Sequence, residues 1–536
     1  MKTLHFLLKP FVFFVASCFF FVLSASAQIT FQKTFGGTGY DECYSVQQTS
    51  DGGYIVAGNT DGFGAGFWDI YLIKTDANGD TLWTKTLGEI GYDNARSVQQ
   101  TNDGGFIIGG YHNSFGLDDF DIYLIKTDAN GNPLWTKTFG GPFDDYGGSV
   151  QQTADGGYII TGYIGNLGAG DADVYLIKTD ANGDSLWTKT FGGINENDGY
   201  SVHQTIDGGY IITGETNSFG AGGFDVYLIK TDSIGNLLWS KTFGGTGDDI
   251  GFAVQQTTDG GYIITGYKEK LGGFIHFDVY LIKTDTMGNL LWSKTFGGTG
   301  DEVGFGVQQT TDGGYIISGF TASFGTVGYA DVYLIKADVN GNLLWSKIFG
   351  GSNDDLGNSV QQTTDGGYIV TGYSRNFGAG GYADVYLIKT DSSGNSGCNE
   401  GNPATIVITP STQVTTPATI AGSPPDIVTS PATIVGSAGI VTTLCTTVGI
   451  SEITADNSFI ISPIPSPGNF TITFTNAINR GEVQIFNAYG SIVFSQNIHN
   501  TSNTEIHLKH IPSGIYFVKI WNGEKYFSNK IIIQKG

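Results

Sequence analysis

Between Phe31 and Cys398 the chain repeats itself seven times. Each unit of about fifty residues is built around W-(S/T)-K-T-F-G-G, D-G-G-Y-I and D-V-Y-L-I-K-T-D. Trp83, Trp135, Trp187, Trp239, Trp292 and Trp345 set the register. A period of this length, filled with strand and turn signals and no helical stretch, predicts small antiparallel sheets arranged in a ring.

One unit shows how. Ala253 to Thr258 reads as a short strand, Asp259-Gly260-Gly261 as a turn that tolerates positive φ, and Tyr262 to Tyr267 as the returning strand. A longer connection, Lys268 to Phe277, leads to Asp278–Asp285, whose unbroken apolar centre suits a strand covered on both faces. Thr286-Met287-Gly288-Asn289 turns the chain into Leu290–Phe296, the fourth strand. The seventh unit stops at Cys398 without a fourth strand. The missing piece stands near the other end, where Ile29–Gly37 is a fourth strand with no first three and Phe31 holds the tryptophan position. Pairing the two predicts a ring closed by the N-terminal strand, with no exposed sheet edge there.

Residues 1–27 have a short basic start, an apolar run from Phe11 to Leu23 and Ala25-Ser26-Ala27, the pattern of a cleaved signal peptide. Val15-Ala16-Ser17-Cys18 has the shape of a lipobox, but the apolar run continues past Cys18. No other stretch approaches the ~20 apolar residues of a membrane helix. The net charge of −24 argues against a nucleic-acid partner and allows cations, sugars or basic proteins. In an oxidising compartment Cys398 and Cys445 are the expected disulfide, leaving Cys43 over.

The tryptophans are expected as wedges between neighbouring sheets rather than sugar platforms. The seven L-I-K lysines are expected as stems along apolar surface, their heads near repeat carboxylates. Long connections inside each unit and the F-G-G crossovers fall on one face, where binding residues are expected. The crossovers bring Asp144 and Asp145, Asp248 and Asp249, Asp301 and Glu302, and Asp354 and Asp355 to that face, as an acidic rim able to bind a ligand or calcium, or simply to form solvated Asx-turns. Catalytic signals are thin, with no H-E-x-x-H, no metal quartet and no G-x-S-x-G.

From Glu400 the composition changes. Pro403-Ala-Thr-Ile-Val, Pro417-Ala-Thr-Ile-Ala and Pro431-Ala-Thr-Ile-Val recur every fourteen residues, which predicts an extended Pro/Thr-rich spacer over 399–449, partly strand-forming where Thr and Val alternate. Residues 450–536 alternate like a compact β-sandwich, with strands at 470–474, 481–486, 491–494, 505–508, 515–520 and 530–533.

The repeated units, with their aspartate-aromatic strand ending in lysine, G-N turn, L-W strand, G-G and D-G-x-Y-x-x-G, resemble the seven-bladed β-propeller repeats of bacterial secreted proteins over residues 28–398. The tail resembles the type A C-terminal sorting domain of the type IX secretion system. Pro463 and Pro465 match its S-P-N-P start, Gly490 its I-Y-N-x-x-G turn, Gly514 and Tyr516 its L-x-x-G-x-Y, and Lys530 its closing K-x-x-x. The resemblance implies an all-β protein, a propeller plus a sorting domain, carried by the type IX machinery to the outer surface of a Gram-negative bacterium. The leading expectation is a monomeric binding or adhesion module for a glycan or protein. The alternatives are a polysaccharide hydrolase or lyase, and a passive surface protein.

Overall fold

The computed structural model describes residues 28–113, 119–166, 169–270, 276–326, 328–378, 381–422, 427–429, 434–436, 439–448, 459–463, 466, 468–487, 492–508, 511–521 and 526–533. Residues 1–27, expected as a signal peptide, and Pro465 and Gly490 lie outside them. Every described element is a strand. Two units separate, Gln28–Gly449 and the C-terminal region from Ile450.

Within Gln28–Gly449 each repeat makes one antiparallel sheet. Sheet I begins with Asp41–Gln48, Tyr54–Thr60, Asp69–Thr75 and Thr81–Gly88. Sheets II to VI follow in order, their first strands being Tyr92–Gln100, Asp145–Gln152, Asn197–Gln204, Asp249–Gln256 and Glu302–Gln309. Sheet VII takes Asp355–Gln362, Tyr368–Ser374 and Asp384–Thr390, and Ile29–Gly36 pairs with the last of these, Phe31 opposite Lys389. Second and third strands are buried almost throughout, as their unbroken apolar runs require.

Sheets are joined by the same few contacts each time. The fourth-strand tryptophan packs on the second-strand aromatic of the next sheet, as Trp83 on Phe106 and Trp345 on Tyr368, with ring centroids 5.8–5.9 Å apart. Fully buried Phe31 packs on Tyr54 in the same way, 6.1 Å apart. Each aromatic also roofs the turn glycine one sheet on. A Cβ on Gly131, whose φ is +77°, would lie 2.7 Å from Trp83 Cη2. Gly131→Ala should therefore destabilise this unit by about 2 kcal/mol from the left-handed backbone alone. A denaturant midpoint equal to that of the parent chain would refute the wedge.

The Gln-Gln pair that ends each first strand, His203-Gln204 in sheet IV, has a similar office. The second glutamine accepts an N–H from the D-G-G turn of the preceding sheet: Ser50 to Gln100, Asn102 to Gln152, Ala154 to Gln204, Ile206 to Gln256, Thr258 to Gln309 and Thr311 to Gln362, all 2.8–2.9 Å. A seventh bond, Thr364 to Gln48 at 2.9 Å, joins sheet VII to sheet I. The L-I-K lysines are buried and reach the D-G-G aspartate of their own sheet, as Lys178 to Asp155 at 3.0 Å and Lys389 to Asp365 at 3.0 Å.

Residues 399–448 are extended and strand-forming, as expected, but they are no free spacer. They supply a fifth strand to every sheet, visiting them in reverse order: Glu400–Gly401 on sheet VI, Ile406–Ile408 on V, Gln413–Thr415 on IV, Ile420–Gly422 on III, Ile427–Thr429 on II, Ile434–Gly436 on I and Ile440–Val448 on Ile29–Gly36 of VII. The working period is seven residues, half the repeat visible in the letters. Seven extended residues span about 23 Å, enough to step from one sheet edge to the next. Thr405, Thr412 and Thr419, seven apart, each bond the third-strand tyrosine (Tyr333, Tyr280, Tyr227) and the fourth-strand serine (Ser346, Ser293, Ser240) of the sheet they reach. Ile406 and Ile420 stay more than half exposed, so pairing rather than burial holds this strap. Its start and end are tied by the Cys398–Cys445 disulfide, and Cys43 is buried and free.

The C-terminal unit is one hydrogen-bonded sheet of Phe459–Ser462, Asn469–Asn487, Ile492–His507, Gly514–Trp521 and Tyr526–Ile533. Four of the expected short strands merge into two long ones, because residues 475–480 and 495–504 hold no proline or turn glycine to break pairing. A register shift between Thr473 and Ile478 absorbs the irregularity. Phe470, Ile472, Val483, Ile485, Val518 and Ile531 are among its core.

Candidate functional site

Every first strand carries a β-bulge at the same place, between Cys43 and Ser45, Ala95 and Ser97, Gly147 and Ser149, Gly199 and Ser201, Gly251 and Ala253, Gly304 and Gly306, and Gly357 and Ser359. A bulge re-aims one side chain. The residues so turned out are Tyr44, Arg96, Gly148, Tyr200, Phe252, Phe305 and Asn358, and all seven line a single cavity of about 600 Å³. Tyr111, Tyr146, Tyr163 and Tyr373 complete most of its wall. A smaller cavity of about 280 Å³ shares Glu42, Tyr44, Arg96, Tyr111 and Tyr146 with it.

The wall is aromatic but not symmetric. Tyr146 stacks on Tyr163 at 5.0 Å and meets Tyr111 edge-on at 4.6 Å; Phe252 lies 5.4 Å from Tyr200 and 5.2 Å from Phe305. The polar groups gather on sheets I, II and IV. Tyr44 donates to Glu42 at 2.7 Å, and Arg96 donates to the Tyr111 hydroxyl at 3.0 Å with its guanidinium 4.0 Å over the Tyr44 ring. On sheet IV Tyr200 stands between Asp198, 3.4 Å away, and Glu215. Burial and the neighbouring Glu196 push Asp198 up to about 7; burial and Asp198 push Glu215 up to about 8. Outside the cavity Phe67, Tyr92 and Tyr382 are exposed, and Phe67 stacks on Tyr92 at 5.4 Å.

The expected acidic rim sits elsewhere and is used within the chain. Asp145, Asp249, Glu302 and Asp355 are fully buried. Asp145 accepts the Gly141 N–H, Glu302 that of Gly298, Asp355 that of Gly351, and Asp249 pairs with Lys268 at 2.8 Å. Asp144, Asp248, Asp301 and Asp354 accept the N–H of Phe120, Phe224, Phe277 and Ala330, tying a crossover to the connection before it. Among the described residues no three His, Cys, Asp or Glu are grouped to hold a metal ion, calcium included.

The cavity residues were within reach of the sequence. Between the crossover and S-V-Q-Q one position reads Tyr, Arg, Gly, Tyr, Phe, Phe, Asn while its flanks stay nearly constant.

In the C-terminal unit Tyr516 is buried and donates to the Pro512 carbonyl at 2.9 Å, Gly514 opens the fourth strand opposite Ile533, and Lys530 pairs with Phe517. Pro463 is exposed just after the first strand. The secretion system C-terminal sorting domain family matches residues 461–534. These residues are a type IX sorting domain. The sorting domain directs the protein to the cell surface or the extracellular space, and among the described residues no helix is long and apolar enough to cross a membrane. A curated relative, the regulatory protein FlaEY of Caulobacter vibrioides, is 27% identical over 198 residues, 32% of this chain. The match covers 20% of that protein, so this chain spans about a fifth of its curated relative's length. Among solved structures, Sqt1 from Chaetomium thermophilum is 10% identical with a TM-score of 0.37, over 63% of this chain and 81% of its own. A structural-genomics protein of unknown function from Bacteroides thetaiotaomicron is 13% identical with a TM-score of 0.29, over 63% and 84%.

Proposed function

We propose that residues 28–448 are a seven-bladed β-propeller, closed by Ile29–Gly36 and girdled by the strap, which the sorting domain delivers to the cell surface as a saccharide-binding module. The domain division follows: a signal peptide over 1–27, the propeller with its strap, and the sorting domain from about residue 450. Closure is supported by the seventh member of each contact series, Phe31 on Tyr54 and Thr364 to Gln48. The observation that carries the function is the bulge position. The units differ in their long connections and also at the bulge, where their side chains meet around one cavity, and a specific ligand requires that loss of symmetry. Aromatic faces beside carboxylate, amide and guanidinium groups suit a sugar, whose ring has an apolar C–H face and a hydroxylated edge.

Full-length protein on a glycan array should bind a subset of oligosaccharides, and Phe252→Ala should weaken that binding at least ~10-fold, the loss of one buried aromatic contact of roughly 1.5 kcal/mol. Unchanged affinity in a folded Phe252→Ala variant would move the site elsewhere. A second reading, a hydrolase or lyase on the same scaffold, is favoured by Asp198 and Glu215, whose pKa values of about 7 and about 8 suit proton transfer near neutrality. New reducing or unsaturated ends released from a bound glycan would establish it; an unaltered glycan after prolonged incubation would dismiss it.

A further inference from the structure

The seven buried L-I-K lysines each hold an aspartate, and Arg375 faces Asp354 at 3.4 Å. Among the described residues some lysines have no acidic partner, Lys85 and Lys347 donating to asparagines and Lys241 and Lys294 to strap threonines. Arg96 has none either, and it stands in the cavity wall. Among the described residues no carboxylate lies within ion-pair distance of it, and the nearest acidic side chain of sheet I, Glu42, is taken up by the Tyr44 hydroxyl at 2.7 Å. Its guanidinium is fixed by the Tyr44 ring at 4.0 Å, by the Tyr111 ring at 5.5 Å and by hydrogen bonding to the hydroxyls of both, the Tyr111 bond at 3.0 Å. That leaves further N–H donors of a flat fork directed by two rings, in the wall common to both cavities. A half-buried positive charge held without an ion-pair partner carries a cost, and nothing in the packing of sheet II requires it, since the equivalent positions are Tyr, Gly, Tyr, Phe, Phe and Asn.

A line of rings leads to this fork from outside. Phe67 stacks on Tyr92 at 5.4 Å, Tyr92 lies 6.3 Å from Phe120, Phe120 5.1 Å from Tyr146, and Tyr146 4.6 Å from the Tyr111 ring that orients Arg96. Phe67 and Tyr92 are 56% and 40% exposed, so the outer end of the line is open to a ligand. We propose that the ligand is an acidic oligosaccharide, its sugar rings laid along the Phe67–Tyr146 line and one of its carboxylates received in bidentate fashion by Arg96. This rests on the axial cavity being the binding site. A carboxylate is the planar partner the fork fits, and its arrival supplies the counter-ion that the folded chain lacks.

Titration calorimetry on the full chain can use three probes: trigalacturonate, the neutral trigalactose made by reducing its carboxyl groups, and a sulfated neutral trisaccharide. Trigalacturonate should bind about 10- to 100-fold tighter than trigalactose, the range of one charge-assisted bidentate contact. Arg96→Gln should abolish that preference, bringing trigalacturonate down to the affinity the same variant shows for trigalactose, and Arg96→Lys should restore only part of it, because a point charge replaces a fork. The comparison among probes on the unaltered protein stands even if a variant misfolds. Equal binding of trigalacturonate and trigalactose overturns the acidic ligand but leaves the cavity as a sugar site. Binding of the sulfated probe alone also overturns it. Binding of none of the three overturns both readings.

Discussion

Moving from pH 5 to pH 8 should lower the denaturant midpoint of the repeat unit, the reverse of what an acid-sensitive protein does. The cause lies at the first glycine of each G-G step, which two acidic side chains flank. A Cβ on Gly140 would lie 1.9 Å from Asp121 Oδ1 and 2.6 Å from Asp145 Oδ2, and Gly36, Gly88, Gly244, Gly297 and Gly350 repeat the arrangement. Burial pushes Asp41, Asp93, Asp145 and Asp355 up to about 7, and Asp121, Asp225 and Asp331 up to about 6. A carboxyl whose folded pKa is raised keeps its proton after the unfolded chain has released it near pH 4, so stability present in acid is lost as pH climbs through 6 to 7. Two groups of residues oppose this. The D-G-G aspartates are partly buried, which raises them, yet bonds from threonine, glycine and lysine outweigh burial and hold them low, and their contribution fades only below about pH 4. Buried His112 and His203, lowered to about 4, cost stability between 6.5 and 4, but they are two against many. The optimum therefore falls near pH 4, where the unfolded carboxyls begin to ionise.

At Gly192 the natural chain has already made the neutral substitution. Asn197 stands where the other units carry an acid, and its amide donates to Asp173 at 3.4 Å. Asp41→Asn should reproduce this, raising the midpoint at pH 8 and raising it much less at pH 5. A midpoint that rises with pH, or an Asp41→Asn variant that is weaker at pH 8, would show that these pairs ionise freely.

Cutting the buckle of the strap should have an effect of comparable size. Cys398 and Cys445 enclose 47 residues of separation, and removing a cross-link of that span with the Cys398→Ser/Cys445→Ser double variant should cost about 4 kcal/mol. The strap is where this loss should show first, since most of its strands are three residues long and largely exposed. Hydrogen exchange should accelerate across residues 399–448 before the second and third strands are touched. Equal protection of the strap in oxidised protein and double variant would mean that sheet pairing alone secures it.

The repeat made its own four strands and turns legible, because Asp-Gly-Gly, Gly-Asn and the tryptophan seat act within a few residues of each other. Where the strap pairs was not legible. Its triplets lie between prolines and serines, too short to name their partners, which are sheet edges tens to hundreds of residues back. The Gln-Gln bonds escaped for the same reason, each closing across about fifty residues or, for Gln48, across 316. At the site, regularity misdirected attention. The constant acidic crossovers proved to be fasteners, and the chemistry gathers at a position that changes from unit to unit.

Ile29–Gly36 lies between Asp384–Thr390 on one side and Ile440–Val448 on the other, with Gln32 opposite Cys445. The opening words of the polypeptide thus wait for its four-hundred-and-fortieth residue before they have both neighbours. Assembly cannot be completed piecemeal as the chain emerges. It must occur after nearly the whole molecule has entered one compartment, and that compartment must also be oxidising enough to join the two cysteines.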